Sequence, residues 1–205
     1  MGVDNVYTVQ GFGSFINIDF DMKRINQTIL MFQRTPQEIK RAASRAVNRS
    51  LDTFKTVAIR ETTRKYFVKR KDIAPCITPR RPHGDEPYGS ILARGTRRSL
   101  LKYKTNTATT SIAHSITPGT FKAAVRRLGG LKPIPLVSYI DYKNGTFYPV
   151  LRTSLERKYL ASPSIPQLVK NKETVAEAEK QAGETFERRL MHELKEGLKH
   201  LGALP

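Results

Sequence analysis

The sequence has no tryptophan and a single cysteine, Cys76, among its 205 residues. One cysteine excludes an intrachain disulfide and the paired thiolates of the common zinc sites. Carboxylates are scarce as well: 18 Asp and Glu stand against 36 Lys and Arg, a net charge of +18. No apolar run reaches the roughly 18 residues that a membrane-spanning helix needs. The opening MGVDNVYTVQGFGSF lacks a basic leader and an apolar stretch, so a soluble protein made in the cytoplasm is expected. Hydrophobic residues make up only 39%, which predicts a modest core and a chain that depends partly on neighbours for burial.

The surplus of positive charge is regional. Pro36 to Lys132 holds 22 basic and 6 acidic residues, a net +16, whereas Lys172 to Leu201 holds 6 and 7 and is nearly neutral. A stretch this basic suits phosphates, whose counterions Lys and Arg displace, and it suits an acidic protein neighbour equally.

Two long helices are expected. Thr35-Pro36-Gln37-Glu38 places a capping hydroxyl, a proline at the first helical position and a glutamate at the third. Apolar residues then recur at Ile39, Ala43, Val47, Leu51, Phe54, Ala58 and Thr62, one face of a helix running to Tyr66. Its other side carries Arg41, Arg45, Arg49, Lys55, Arg60 and Arg64, which read either as a solvated face or as a contact surface. Near the other end of the chain, Asn171 suits a cap, and Val175, Ala178, Ala182, Phe186, Leu190, Leu194, Leu198 and Leu201 form a second stripe ending near Gly202.

Between the helices the pattern breaks up. Pro75, Pro79, Pro82 and Pro87 stop helices, and the basic pair Arg80-Arg81 opens a turn or loop. Strands are expected at Ser90–Ala93, Ser111–Ile116, Thr120–Val125 and Ile134–Tyr142, the last folding back through the hairpin turn Asn144-Gly145 onto Phe147–Leu151. Ser162-Pro163-Ser164-Ile165-Pro166-Gln167 reads as an extended connector. Residues 1 to 34 alternate around Phe15, Ile16, Ile18 and Phe20 and read as a strand or an assembly arm.

Motifs for chemistry are missing. His192-Glu193 is not followed by the second histidine of a HExxH zinc site, because position 196 is Glu196. Gly129-Gly130-Leu131-Lys132 lacks the spacing of a phosphate-binding loop, and Cys76 has no histidine placed beside it by sequence. The carboxylates of the last helix are interleaved with lysines, as on a solvated helix face. No catalytic residue, metal ligand or cofactor is expected, and any contact with DNA should run through its backbone.

Three stretches together resemble the minor tail protein Z family of tailed bacteriophages. They are Arg45-Ala46-Val47-Asn48-Arg49-Ser50-Leu51 running on to Arg64-Lys65-Tyr66-Phe67-Val68-Lys69-Arg70-Lys71-Asp72-Ile73, then Lys132-Pro133-Ile134-Pro135-Leu136, then Pro163-Ser164-Ile165-Pro166-Gln167 before a helix containing Phe186-Glu187-Arg188-Arg189-Leu190. The resemblance implies a non-enzymatic virion component of the tail or neck that completes the tail and joins it to the capsid. It further implies a ring of copies, six-fold, that meets tail terminator, tail tube and head-neck proteins around the DNA path, with no membrane partner.

The expected fold is α+β: a long helix and a closing helix packed on a small antiparallel sheet over 35–205, preceded by the segment 1–34. In this reading Arg41, Arg45, Arg49, Lys55, Arg60, Arg64, Arg80 and Arg81 face DNA or an acidic partner. A free, non-sequence-specific nucleic-acid-binding protein is the competing expectation.

Overall fold

The computed structural model describes residues 14–16, 36–83, 87–107, 114–116, 120–135, 137–143, 146–152 and 157–200. The fold is α+β, and its contacts divide into two compact units. A helical unit is formed by Ser14–Ile59, Ile77–Ala93 and Val169–Pro205; a sheet unit by Arg60–Cys76 and Arg94–Leu168, its further segment Met1–Gly13 lying outside the described residues.

In the helical unit, α1 (Pro36–Lys65) starts at the proline whose missing N–H has no role in a first turn, and its residues up to Ile59 belong here. Its 30 residues rise about 45 Å. Ile39, Ala43, Val47, Leu51, Phe54 and Ala58 are buried, as their spacing requires. Ala42, Ala46, Ser50 and Val57 are buried too, so the covered arc is broader than one stripe. Two different elements cover it.

One is α4 (Lys172–His200), which begins where the Asn171 carboxamide accepts from the Thr174 N–H at 3.4 Å. Ala178, Ala182, Phe186, Leu190 and Leu194 form its buried stripe; the side chain of Leu198 and the whole of Leu201 lie outside the described residues. Small residues at Ser50 and Ala182 let the two backbones approach until the Ser50 hydroxyl donates to the Ala182 carbonyl at 2.6 Å. Eleven residues further along α4 Glu193 meets Arg45, five residues earlier on α1, so the helices run antiparallel.

The other cover is a three-stranded antiparallel sheet in the order β1 (Ser14–Ile16), β3 (Ser90–Ala93), β2 (Ile77–Arg80). Pro79 is tolerated because β2 is an edge strand. Gly89 leads into β3 directly against α1: a Cβ there would lie 2.7 Å from Leu51 Cδ1 and 2.9 Å from Val47 Cγ1. Within the segment 1–34, Ser14–Ile16 is a strand paired with Ile91–Ala93, and the remainder lies outside the described residues.

The sheet unit holds two further antiparallel sheets. β8 (Val137–Lys143) and β9 (Thr146–Arg152) form the expected hairpin, with Lys143 opposite Thr146 and Asn144-Gly145 outside the described residues. β10 (Arg157–Tyr159) and β5 (His114–Ser115) flank it, in the order β10-β9-β8-β5. The second sheet has the order β4 (Lys104–Thr105), β6 (Lys122–Ala124), β7 (Lys132–Pro133). Leu100, Leu101, Phe121, Val137, Ile140 and Leu160 are the buried core between them, with Ile134, Phe147 and Leu151 against it.

The proline stretch differs from expectation. Ile165–Val169 is helical (α3), following α2 (Arg70–Ile73) in chain order. The Ser164 N–H and hydroxyl both donate to Gln167 Oε1, at 2.8 and 3.2 Å, as in a capping box. Pro166 then falls in the first turn, where no N–H is required. Two prolines suggested extension; the Ser-x-x-Gln spacing around the second one was the stronger signal.

Denaturant unfolding checks the packing of the helical unit. Ser50→Ala should lower stability by about 1 kcal/mol through loss of the buried hydroxyl bond, and Gly89→Ala by about 1–3 kcal/mol through overpacking. Unchanged midpoints for both variants would contradict the close approaches described.

Candidate polyanion-facing surface

The basic residues singled out by sequence divide between the units. In the helical unit Arg41, Arg45 and Arg49 are exposed and Lys55 is half-buried. Arg45 Nε lies 2.8 Å from Glu193, which Arg189 also reaches at 3.3 Å. Exposed Arg81 reaches back to α1, at 2.9 Å from Asp52 and 3.3 Å from Asn48. Arg41, Arg49, Lys55 and exposed Arg80 have no carboxylate partner among the described residues. In the sheet unit, Arg60 and Arg64 both serve Glu61, at 3.3 and 2.7 Å; the Glu61 side chain is only 6% exposed. Half of the expected contact residues are therefore already engaged within the chain.

The imbalance of charge lies mainly in the sheet unit. Arg60–Cys76 and Arg94–Leu168 together carry 19 basic and 4 acidic residues, a net 19 − 4 = +15, against 17 and 13, or +4, for the helical unit. Each described carboxylate of the sheet unit is used internally. Glu61 holds Arg60 and Arg64, Asp72 lies 3.3 Å from Arg98, and Asp141 accepts from the Tyr159 hydroxyl at 2.9 Å and the Tyr142 N–H at 2.8 Å. Among the described residues of the sheet unit no carboxylate is paired with the cations of the β4-β6-β7 sheet.

Strand register brings two of those cations together. Lys104 is paired with Ala124, and Lys122 stands two residues before Ala124 on the same strand, so both lysines project from one face, whereas Lys132 is paired with Ala123 and projects from the other. Beyond β6 the chain runs antiparallel to the end of α1. The Phe67 N–H donates to the Val125 carbonyl at 2.8 Å, and the Arg127 N–H to the Lys65 carbonyl at 2.9 Å. Arg127 Nε adds a bond to the Thr63 carbonyl at 3.0 Å. These bonds satisfy two C-terminal carbonyls of α1 and set a positive charge where the helix dipole is negative.

Half-buried Phe67 anchors the patch. Lys104 Nζ stands 5.3 Å and the Arg127 guanidinium 4.9 Å from its ring centroid, so the two charges are no more than 10.2 Å apart. Arg126 and Lys132 are exposed on either side of the turn Leu128–Leu131, where Gly129 and Gly130 take φ of 100° and 64°. At its tip Leu128 is 92% exposed.

A separate polar knot fixes the turn after α2. The Ser162 N–H and hydroxyl reach the Arg98 carbonyl at 2.7 and 3.1 Å, Tyr103 donates to the Pro163 carbonyl at 3.4 Å, and Cys76 Sγ meets the Asp72 carbonyl at 3.4 Å. Burial pushes the Tyr103 hydroxyl above its ordinary value of 10.0, opposed by the Ser162 hydrogen bond and Arg98. Burial likewise raises the Cys76 thiol above 9.0, so the thiol resists ionisation.

Among the described residues no cluster of His, Cys, Asp and Glu is placed to hold a metal ion, and no helix is long and apolar enough to cross a membrane. In the helical unit a shallow groove of about 460 Å³ beside α4 is lined by Thr53, Glu177, Lys180, Gln181, Glu184 and Arg188, charges of both signs in alternation. No protein-family model matches the chain, nor does any curated protein or solved structure.

Sequence reasoning centred on α1 and did not single out Lys104, Lys122, Arg126 and Arg127. Their spacing follows no period because two short strands and the segment after them bring them together. The Arg126-Arg127 doublet beside Gly129-Gly130 was the available signal.

The knot predicts an alkaline limit. A group whose folded pKa is raised contributes stability fully below its unfolded pKa and loses it as pH rises from that value through the folded one. Stability should therefore fall as pH passes 9.0 for Cys76 and 10.0 for Tyr103. Urea titrations from pH 8 to 11 should show a shallower decline for Tyr103→Phe than for the wild type; identical slopes would remove the tyrosine from this account.

Proposed function

We propose that this chain is a non-enzymatic structural component of a tailed-phage virion, a minor tail or tail-completion protein at the head-proximal end that helps join tail to capsid. One observation carries the reading: a long basic helix, antiparallel strands, a proline-bearing segment and a closing amphipathic helix follow each other in the order of the stretches that resemble the family. The mechanism is geometric. Apolar stripes hold each unit together, and copies form a six-fold ring in contact with tail terminator, tail tube and head-neck proteins. Arg41, Arg49, Lys55 and Arg80 are free to meet such neighbours.

A free, non-sequence-specific nucleic-acid-binding protein is the second reading, favoured by the +15 of the sheet unit. Negative-stain microscopy of the purified protein, alone and mixed with tail tubes, separates the two. The first reading predicts rings and decoration of one end of the tubes. A monomer that never joins tubes yet binds DNA supports the second.

A further inference from the structure

We propose that Lys104, Lys122, Arg126 and Arg127, the exposed cations of β4, β6 and the segment that follows β6, form a contact surface for the phosphate backbone of duplex DNA. The proposal deepens the tail-component reading and rests on it for the presence of packaged DNA. It places the contact on the sheet unit rather than on the arginine stripe of α1.

Three observations carry it. First, like charges on neighbouring strand positions repel and destabilise a sheet. Here Lys104 and Lys122 share a face, and Arg127 lies within 10.2 Å of Lys104 across Phe67. All three described carboxylates of the unit are spent on other partners. In the helical unit 13 acidic residues stand against 17 basic ones, and Arg45 and Arg81 have carboxylates at 2.8 and 2.9 Å, while Arg41, Arg49, Lys55 and Arg80 have none among the described residues. Repulsion left standing on one surface of a chain that neutralises others is a surface made to meet negative charge.

Second, the geometry selects backbone contact. Phe67, the aromatic side chain at the centre of the patch, already has two cations against its ring, at 4.9 and 5.3 Å. The ring is thereby withdrawn from stacking on an unpaired base, the hallmark of single-strand binding. Strands of two or three residues offer little to read base edges. Third, the duplex presents a charge about every 1.7 Å along its axis, a density that rewards a compact group of four cations without any sequence readout.

The test uses the full-length protein and a fluorescent duplex of arbitrary sequence, titrated between about 50 and 200 mM salt. The triple variant Lys104→Gln, Lys122→Gln, Arg126→Gln removes three exposed charges and spares Arg127, which bonds to the α1 carbonyls. Circular dichroism checks that it folds. The control Arg41→Gln, Arg49→Gln, Lys55→Gln removes equal charge from the helical unit.

The sheet triple should bind at least about tenfold more weakly at low salt, with a salt slope smaller by about 2 to 3 on the log–log scale, for every sequence tried. The control triple should stay within about twofold of wild type. Equal losses for both triples, a sheet triple that binds like wild type, or a wild type that binds polyglutamate as tightly as DNA would each overturn the assignment. Failure of the tail reading is seen separately. A protein that joins tails but ignores DNA removes this surface alone, and one that binds DNA through the sheet yet never joins tails removes the tail component alone.

Discussion

Repulsion among its own cations is the constraint around which the sheet unit is built. Nineteen basic residues against four acidic ones leave too few carboxylates to neutralise the surface, and the described ones are drawn into ties within the chain. Glu61 gathers two arginines, Asp72 holds Arg98 beside the knot at Cys76 and Tyr103, and Asp141 fixes two tyrosines of the hairpin region. Arg60 and Arg64 remain more than half exposed, so their pairing with Glu61 adds little stability and mainly satisfies a buried carboxylate. Cohesion must come from Leu100, Phe121, Val137, Ile140 and Leu160, and from backbone bonds such as those by which Arg127 and Phe67 tie the end of α1 to the strand beside it.

The helical unit solves a different problem. Its charges nearly balance, and its architecture follows from how closely two rods can approach. Alanines on both helices and the Ser50 hydroxyl keep the crossing thin enough for a direct bond to the Ala182 carbonyl, while Gly89 lets a strand lead press against Val47 and Leu51 from another direction. A helix covered by two elements buries a wider arc than a single stripe. That explains why Ala42, Ala46 and Val57 join the expected stripe.

How much of this was legible in the sequence depends on the range over which each feature is encoded. Helix α1 and helix α4 were, because caps and three-to-four spacing are local, and so were the strand Ser90–Ala93 and the hairpin of β8 and β9. The short strands β2, β4, β7 and β10 were not, since two to four residues carry no period and exist only through their partners. The helical turn after Ser164 was masked by its prolines. The candidate surface was the least legible part. The regional count located a basic stretch, but which of its cations share a face depends on register across β4, β6 and β7, and which are engaged depends on partners as distant as Glu193 is from Arg45.

A closely packed helical unit and a strongly basic sheet unit support the proposed account, in which different parts of the chain meet different partners. Amide hydrogen exchange of the full-length protein, with and without duplex DNA, tests its central claim most directly. The account predicts slowed exchange confined to the segments around Lys104–Thr105 and Lys122–Arg127, with Lys172–His200 unaffected. Protection absent from those segments, or concentrated in the two long helices of the helical unit, would contradict it.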